Sequence, residues 1–342
     1  MSRIEGGRDP QAREARPPAE EAKAVDVAAT AGKILANMEK VIIGKRNQLT
    51  LCLVAYFCEG HILLEDVPGV AKTILVRALA RSINGSFKRI QCTPDLLPTD
   101  VTGVSVFNQK STEFEFRPGP IFAQLVLADE VNRATPRTQA ALLEAMAERR
   151  VTVDGVTHEL APPFLVMATQ NPIDHEGTFP LPEAQLDRFL IRLSLGYPNL
   201  DEEIKMLEML ERGHPIDSLQ PVISTADLVA AQRAVREIHV DAKVRRYLTE
   251  IVHHTRQHED VALGGSPRAS LALFRTSQAL AAVNGRTFVR PDDVKNMAAA
   301  VLTHRLILRP ESRLRKVTAA AVVAEVLEAV PVPVMSTEPV PS

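Results

Sequence analysis

The run His61-Ile-Leu-Leu-Glu65 is apolar and short enough for a strand. It passes through Asp66-Val-Pro-Gly-Val-Ala71 into Lys72-Thr73 and a segment with Ile74, Leu75, Ala78 and Leu79 on one side. Strand, tight loop, Lys-Thr and helix in direct succession leave few options for the fold. A strand that is apolar at consecutive positions must be covered on both faces, and the helix behind it must pack back onto the sheet. Such a junction aims backbone N–H groups of the loop and the helix N-terminus at one point, where an anion is favoured. The spacing approaches G-x-x-x-x-G-K-[ST], with Asp66 and Ala71 where that pattern has glycine, and Gly69 between them. Taken alone, the segment is equally compatible with a plain strand–turn–helix carrying a surface lysine.

A second segment narrows the choice. Leu125-Val-Leu-Ala-Asp129-Glu130 is an apolar strand ending in two acids, with a helix starting near Thr135. Open α/β sheets collect ligands at the carboxyl ends of their strands, so Lys72, Thr73, Asp129 and Glu130 fall on one edge. That set points to a nucleoside triphosphate. The lysine reaches the β/γ phosphates, Thr73 and Asp129 hold Mg²⁺, and Glu130 polarises the attacking water. Acids at strand ends are common in other settings; the pairing with Lys72 is what makes them specific. The run Phe164 to Thr169 continues into Gln170-Asn171-Pro172, which brings the Asn171 amide to the same edge to orient that water. Arg188, just before the run Phe189 to Leu195, is placed to be given to a γ-phosphate by a neighbouring subunit. Taken singly, a loop asparagine and a surface arginine are ordinary.

The remaining pattern fits an α/β sandwich on a parallel five-stranded sheet. Phe87 to Gln91 supplies the fifth strand, and Thr73 to Arg81 and Thr135 to Glu148 are helices. Two hairpins interrupt the rhythm, Gly103 to Phe107 with Glu113 to Arg117, and Val151 to Val153 with Val156 to Leu160 around Asp154-Gly155. Beyond Pro198 the period turns helical. Leu200, Ile204, Leu207 and Leu210 mark a helix stopped by Gly213-His214-Pro215, and Met206 and Met209 read as linker packing. The predicted division is a disordered lead-in over 1–25, a nucleotide-binding core over 26–212, a helical lid over 213–330 and a Pro-rich tail over 331–342.

Charge and composition exclude several classes. With 40 Lys+Arg against 42 Asp+Glu the net charge is −2, and there is no Trp, so a protein that coats phosphate backbones is disfavoured. Cys52, Cys58 and Cys92 are too few and too scattered for a disulfide framework and read as reduced thiols, which suits a cytoplasmic protein. The longest apolar run, Leu51 to Cys58, is far short of the ~20 residues of a membrane span, and the N-terminus has no signal-peptide pattern. His254 and His258 have metal-ligand spacing but read as a solvated helix face. Arg305, Arg309, Arg313 and Arg315 read as a solvated face or subunit contact.

Over roughly residues 26 to 330 the chain resembles AAA+ ATPases, and within them the MoxR family of the helix-2-insert clade. The stretches that carry this are Leu64 to Thr73, Gly119-Pro-Ile-Phe122, Leu127 to Ala134, Thr138 to Met146, Ala168 to Pro172 and Leu181 to Phe189. The resemblance implies Walker A at Lys72 and Thr73 within the loop Asp66, Val67, Pro68, Gly69, Val70 and Ala71. It also implies Walker B at Asp129 and Glu130, sensor 1 at Asn171, an arginine finger at Arg188 and sensor 2 at Arg268 in Ser266-Pro-Arg268. Ile43 and Gly44, in Val41-Ile-Ile-Gly44, correspond to the adenine-contacting segment. The implied activity is ATP hydrolysis with Mg²⁺ in a ring, usually a hexamer, coupled to chaperone-like remodelling of protein clients, often with a von Willebrand A-domain partner. A chelatase motor subunit and a nucleotide-binding scaffold with little turnover are the alternatives. Alanine at position 71 is free of a Cβ penalty only if its φ is negative, and a carboxylate at Asp66 fits only if it turns away from the phosphates.

Overall fold

The computed structural model describes residues 25–66, 69–171, 177–211, 213 and 215–334. The predicted lead-in and most of the tail, together with Val67, Pro68 and Pro172, lie outside these residues. The chain opens with α1 (Val27–Met38) and α2 (Arg46–Phe57), then β1 (Ile62–Glu65), α3 (Lys72–Ser82) and β2 (Phe87–Gln91). Next come α4 (Pro98–Thr102), the hairpin β3 (Gly103–Asn108) and β4 (Glu113–Pro118), β5 (Leu125–Asp129) and α5 (Pro136–Glu148). A second hairpin, β6 (Arg150–Val153) and β7 (Val156–Glu159), precedes β8 (Leu165–Gln170), α6 (Glu183–Leu186), β9 (Ile191–Leu193) and α7 (Leu200–Leu210). The C-terminal part holds α8 (Thr225–Arg236), α9 (Ala242–Gln257), β10 (Val261–Leu263), α10 (Pro267–Val283) and α11 (Pro291–Leu302). It ends with β11 (Ile307–Leu308), α12 (Pro310–Leu314) and α13 (Ala319–Ala329). The ribbon that β10 forms with β11 is antiparallel and lies in a part whose sequence reads as helical throughout.

The main sheet has the order β2-β5-β8-β1-β9, and every pairing in it is parallel. Its strands are apolar on both faces because both are packed. In β1, Ile62 and Leu64 enter one core cluster while Leu63 enters the other; in β5, Leu125 and Leu127 oppose Val126 and Ala128 in the same way. β2 reads weakly because it is an edge strand, with Lys88 and Arg89 exposed.

The chain order reverses at β1, which lies between β8 and β9, so the loop after β1 opens at the switch point of the sheet. One apolar cluster runs without a break from the sheet through α1 and α2 into the C-terminal helices, including Val244, Tyr247 and Ile251. Buried hydrogen bonds tie the same parts together: the Gln232 amide donates to Tyr56 O at 2.8 Å, and that of Asn37 donates to Gln220 O at 2.9 Å. The core and the helical part therefore share one hydrophobic interior.

Candidate active site

At the carboxyl edge of the sheet lies a cavity of about 320 Å³ lined by Gly69, Val70, Ala71, Lys72, Thr73 and Ile74 from the β1–α3 junction. Asp129 and Glu130 from the end of β5, Thr169 and Asn171 from β8, and Arg89 from β2 complete it. The four residues anticipated from the two motifs thus meet Asn171 around one space. Parallel pairing brings them together: Gln91 is in register with Asp129, and Glu65 with Gln170, so the strand ends share an edge.

The loop adopts a conformation that its sequence does not announce. Ala71 has φ of +56°, in the left-handed region, so the condition for a penalty-free alanine is not met. The turn of the backbone into α3 needs that conformation, and for alanine it costs roughly 1–2 kcal/mol. Gly69, at +85°, meets it without a Cβ penalty. Glu130 is also left-handed, at +56°. Two strained residues border the same cavity, as is usual for functional sites.

Asp66 points away from the cavity: its carboxylate accepts the N–H groups of Leu195 at 2.6 Å and Gly196 at 2.9 Å. Its own backbone carbonyl faces the other way and accepts from Lys72 Nζ at 2.9 Å, holding the ammonium over the loop.

The acids are held by neighbours that motif reading misses. Thr169 donates to Asp129 Oδ1 at 2.6 Å and accepts from the Glu130 N–H at 2.8 Å. Arg89 donates to Asp129 Oδ2 at 2.6 Å, so this carboxylate already carries a cationic partner. Gln91 donates to Glu130 Oε2 at 3.3 Å, and the Arg133 guanidinium lies 3.2 Å from the same oxygen. The contacts of Thr169, Arg89 and Gln91 cross between strands and follow from the sheet register, while that of Arg133 spans the turn after β5. Burial, and with it the Asp129 and Glu130 carboxylates, pushes the Cys92 thiol up to about 12, and burial does the same at Cys52 and Cys58. Shifts in that direction disfavour the thiolate, the nucleophilic form.

Thr73 and Asp129 offer only oxygen atoms, a donor set that suits Mg²⁺. A second, mostly apolar cavity of about 270 Å³ adjoins the first through Gly69, Val70 and Ala71, and is closed by Ile42, Ile43, Tyr197 and Met206. Ile43 lines it as expected; Gly44 does not. Gly44 sits behind, at φ +72°, where a Cβ would come within 1.8 Å of the Glu202 carboxylate. Met206, read as linker packing, is instead a wall of this cavity.

Arg188 and Arg268 are elsewhere. Both line a cavity of about 430 Å³ with Arg149, Arg275, Arg305 and His61. His61 precedes β1 and Arg188 precedes β9, so this cavity is at the amino edge, across the length of the strands from Lys72. Both arginines are exposed. Arg305 is not the solvated cationic side chain the sequence suggests. It is buried, with Nε donating to Asp187 Oδ1 at 2.8 Å and Nη2 to Phe189 O at 2.6 Å, and so it fixes the backbone on both sides of Arg188. Arg315 also has an internal partner, Asp260. His254 Nδ1 contacts Glu250 O at 2.8 Å and His258 Nε2 contacts Glu325 at 3.1 Å, so the two rings do not converge.

A twisted parallel sheet of this order, a lysine–threonine loop at its switch point and paired acids on the next strand but one define a P-loop ATPase of the AAA+ class. Comparisons with known proteins give the same class. The "ATPase family associated with various cellular activities" matches residues 61–191, and the AAA lid domain matches residues 253–326. The chain is 54% identical to the uncharacterized protein YeaC of Bacillus subtilis, over 89% of this chain and 95% of that one. It is 40% identical to chaperone MoxR1 of Mycobacterium tuberculosis, over 96% and 89%. It is 31% identical to protein MoxR of Paracoccus denitrificans, over 87% and 95%. The crystal structure of an ATPase-like protein from Cytophaga hutchinsonii, 35% identical, superposes with a TM-score of 0.86 and covers 91% of this chain and 97% of that one. The chain belongs to the MoxR family of AAA+ ATPases, and it is an ATP-hydrolysing enzyme.

Proposed function

We propose that this ATPase works as a ring, each active site being completed by the next subunit, and that it uses Mg²⁺-dependent hydrolysis to remodel a protein client. One observation carries the reading: Lys72, Thr73, Asp129, Glu130 and Asn171 surround one cavity, while Arg188 and Arg268 share another at the opposite edge of the sheet. Arg188 is anchored just before β9, a strand's length from its own phosphate loop, which favours its action on a neighbour's nucleotide. We take Arg268, which lines the same cavity, to act on that same nucleotide. An interface between two unlike faces closes into a ring when the rotation allows, here taken as a hexamer.

In this reading the loop N–H groups and Lys72 hold the phosphates, the ammonium leaving the Asp66 carbonyl to do so. Ile43 and Met206 pack against the base. Thr73 and Asp129 would hold Mg²⁺, which neutralises charge on the β and γ phosphates when bound. Glu130 accepts the proton of the attacking water and Asn171 orients that water. Gln91 and Arg133 hold the Glu130 carboxylate until the nucleotide arrives. The chaperone role rests on the kinship with MoxR1, and a von Willebrand A-domain protein is the client we favour. Among the described residues no helix is long and apolar enough to cross a membrane, and we place the protein in the cytoplasm.

The test is steady-state hydrolysis by Glu130→Gln. The variant should bind ATP with wild-type affinity and lose at least ~100-fold in turnover, the lower range for a general base. Equal rates in the two proteins would remove Glu130 from the mechanism.

A further inference from the structure

Among the described residues nothing covers the apolar stripe of helix α7. Leu200, Ile204, Leu207 and Leu210 are exposed by 74%, 46%, 62% and 49%, and no residue of the helix is buried. On the flank of that stripe, one turn before Leu207 and Leu210, Glu203 and Met206 line the apolar cavity beside the phosphate loop. The stripe therefore borders the nucleotide site. Acids flank it: Asp201, Glu208 and Glu211 are exposed, and Lys205 is the one base between Asp201 and Glu211.

The complementary surface is on the same chain but on the other face. Along α10, Arg268, Leu271 and Arg275 follow one another at i, i+3 and i+7 and so form one stripe. Leu271 is 49% exposed. It borders both the arginine cavity and an adjoining apolar groove of about 310 Å³ lined by Phe57, Val235 and Phe274. Among the described residues no side chain pairs with Arg268 or Arg275. One surface is thus leucine between acids beside a nucleotide pocket, and the other is leucine between arginines beside the residues that pocket lacks.

We infer that the α7 stripe of one subunit docks on the Leu271 groove of the next, and that this contact delivers Arg188 and Arg268 to the nucleotide. The inference rests on the neighbour-completed site proposed above and names the contact that builds it. The two faces differ, so each subunit uses α7 toward one neighbour and α10 toward the other. Neither face can satisfy itself within one chain.

The experiment uses Leu207→Asp and Leu271→Asp in the full chain, with turnover followed against protein concentration. Both positions are exposed, so circular dichroism and melting temperature should match wild type. Wild-type specific activity should rise with concentration, and each variant should need at least ~10-fold more protein to reach half of its maximum. Mixing the variants in equal amounts should recover up to half of the wild-type turnover, because one interface in two then joins an intact α7 to an intact groove. Variants that follow the wild-type curve overturn the docking contact while leaving the shared active site standing. Two impaired variants that do not rescue each other overturn the pairing of these faces in favour of α7 meeting α7. A client on α7 would change client binding alone, which also defeats the inference. If wild-type activity is independent of concentration, the shared site fails first and this contact goes with it.

Discussion

The two edges of the central sheet hold opposite kinds of chemistry. At the carboxyl edge each charged group of the cavity has an internal counterpart: Lys72 rests on a carbonyl, Asp129 on Arg89 and Thr169, and Glu130 on Gln91 and Arg133. At the amino edge Arg149 and Arg305 are paired with acids, while Arg188 and Arg268 have no such partner among the described residues. The first edge is internally satisfied; the second presents arginines that, in the proposed reading, complete a neighbour's site. Unpaired arginines collected beside one another are unfavourable unless an anion arrives. On the reading proposed above, the difference means that the catalytic unit is larger than the chain, and the two edges should respond differently to substitution.

The largest effect is expected at the amino edge. Arg188→Ala should lower turnover by about 10³-fold or more, in the range by which an arginine supplied in trans accelerates phosphoryl transfer. Nucleotide affinity should stay within a few-fold, since the loop, Lys72 and the base cavity are untouched. The decisive arm is a mixture with Lys72→Ala, which cannot hold the phosphates but keeps Arg188. If the edges serve one another, the mixture turns over although neither variant does; a silent mixture would mean that Arg188 does not act across the interface.

A smaller effect is expected at the carboxyl edge. Thr169 is a positioning residue, bridging the Asp129 carboxylate and the Glu130 N–H at 2.6 and 2.8 Å. Thr169→Val leaves that N–H without its acceptor, a loss worth about 1–3 kcal/mol. Turnover should fall about tenfold with little change in KM, and Thr169→Ser should restore it. A rise in KM with unchanged turnover would show that the threonine serves binding alone.

Much of the carboxyl edge was legible in the chain itself. The doubly apolar strands, the loop before Lys72 and the acids after Ala128 are local patterns, and a parallel sheet assembles them at one edge. What was hidden depends on distance or on backbone angle. The left-handed φ of Ala71 cannot be read from an alanine. Arg89 looks like a stray charge on a weak strand until β2 pairs with β5. Arg305 looks solvated until Asp187, far away in sequence, takes it into the interior. The α7 leucines have the period of a packed helix, yet among the described residues nothing covers them. Periodicity reports that a face is apolar, and says nothing of who covers it.

The smallest effect concerns the floor of the arginine cavity and appears in stability. The His61 ring accepts the Val166 N–H at Nδ1, 3.0 Å away, so its Nε2–H donates to Met146 O at 2.9 Å. Both ring nitrogens are used by the neutral form. Burial, and then the Arg149 charge, lower its pKa to about 4 from 6.5. The unfolded chain therefore binds a proton between those values that the folded chain refuses, and stability must fall as pH falls. From pH 7 to pH 5 the loss from this residue is about 2 kcal/mol. His304, also buried and shifted downward, adds a loss of the same sign. Urea unfolding of His61→Gln at the two pH values should show a shallower decline than wild type by about that amount. Parallel declines would mean that the ring is already protonated in the fold. The arginine edge would then tolerate one more positive charge, against the view that its charges wait for an anion from the neighbouring subunit.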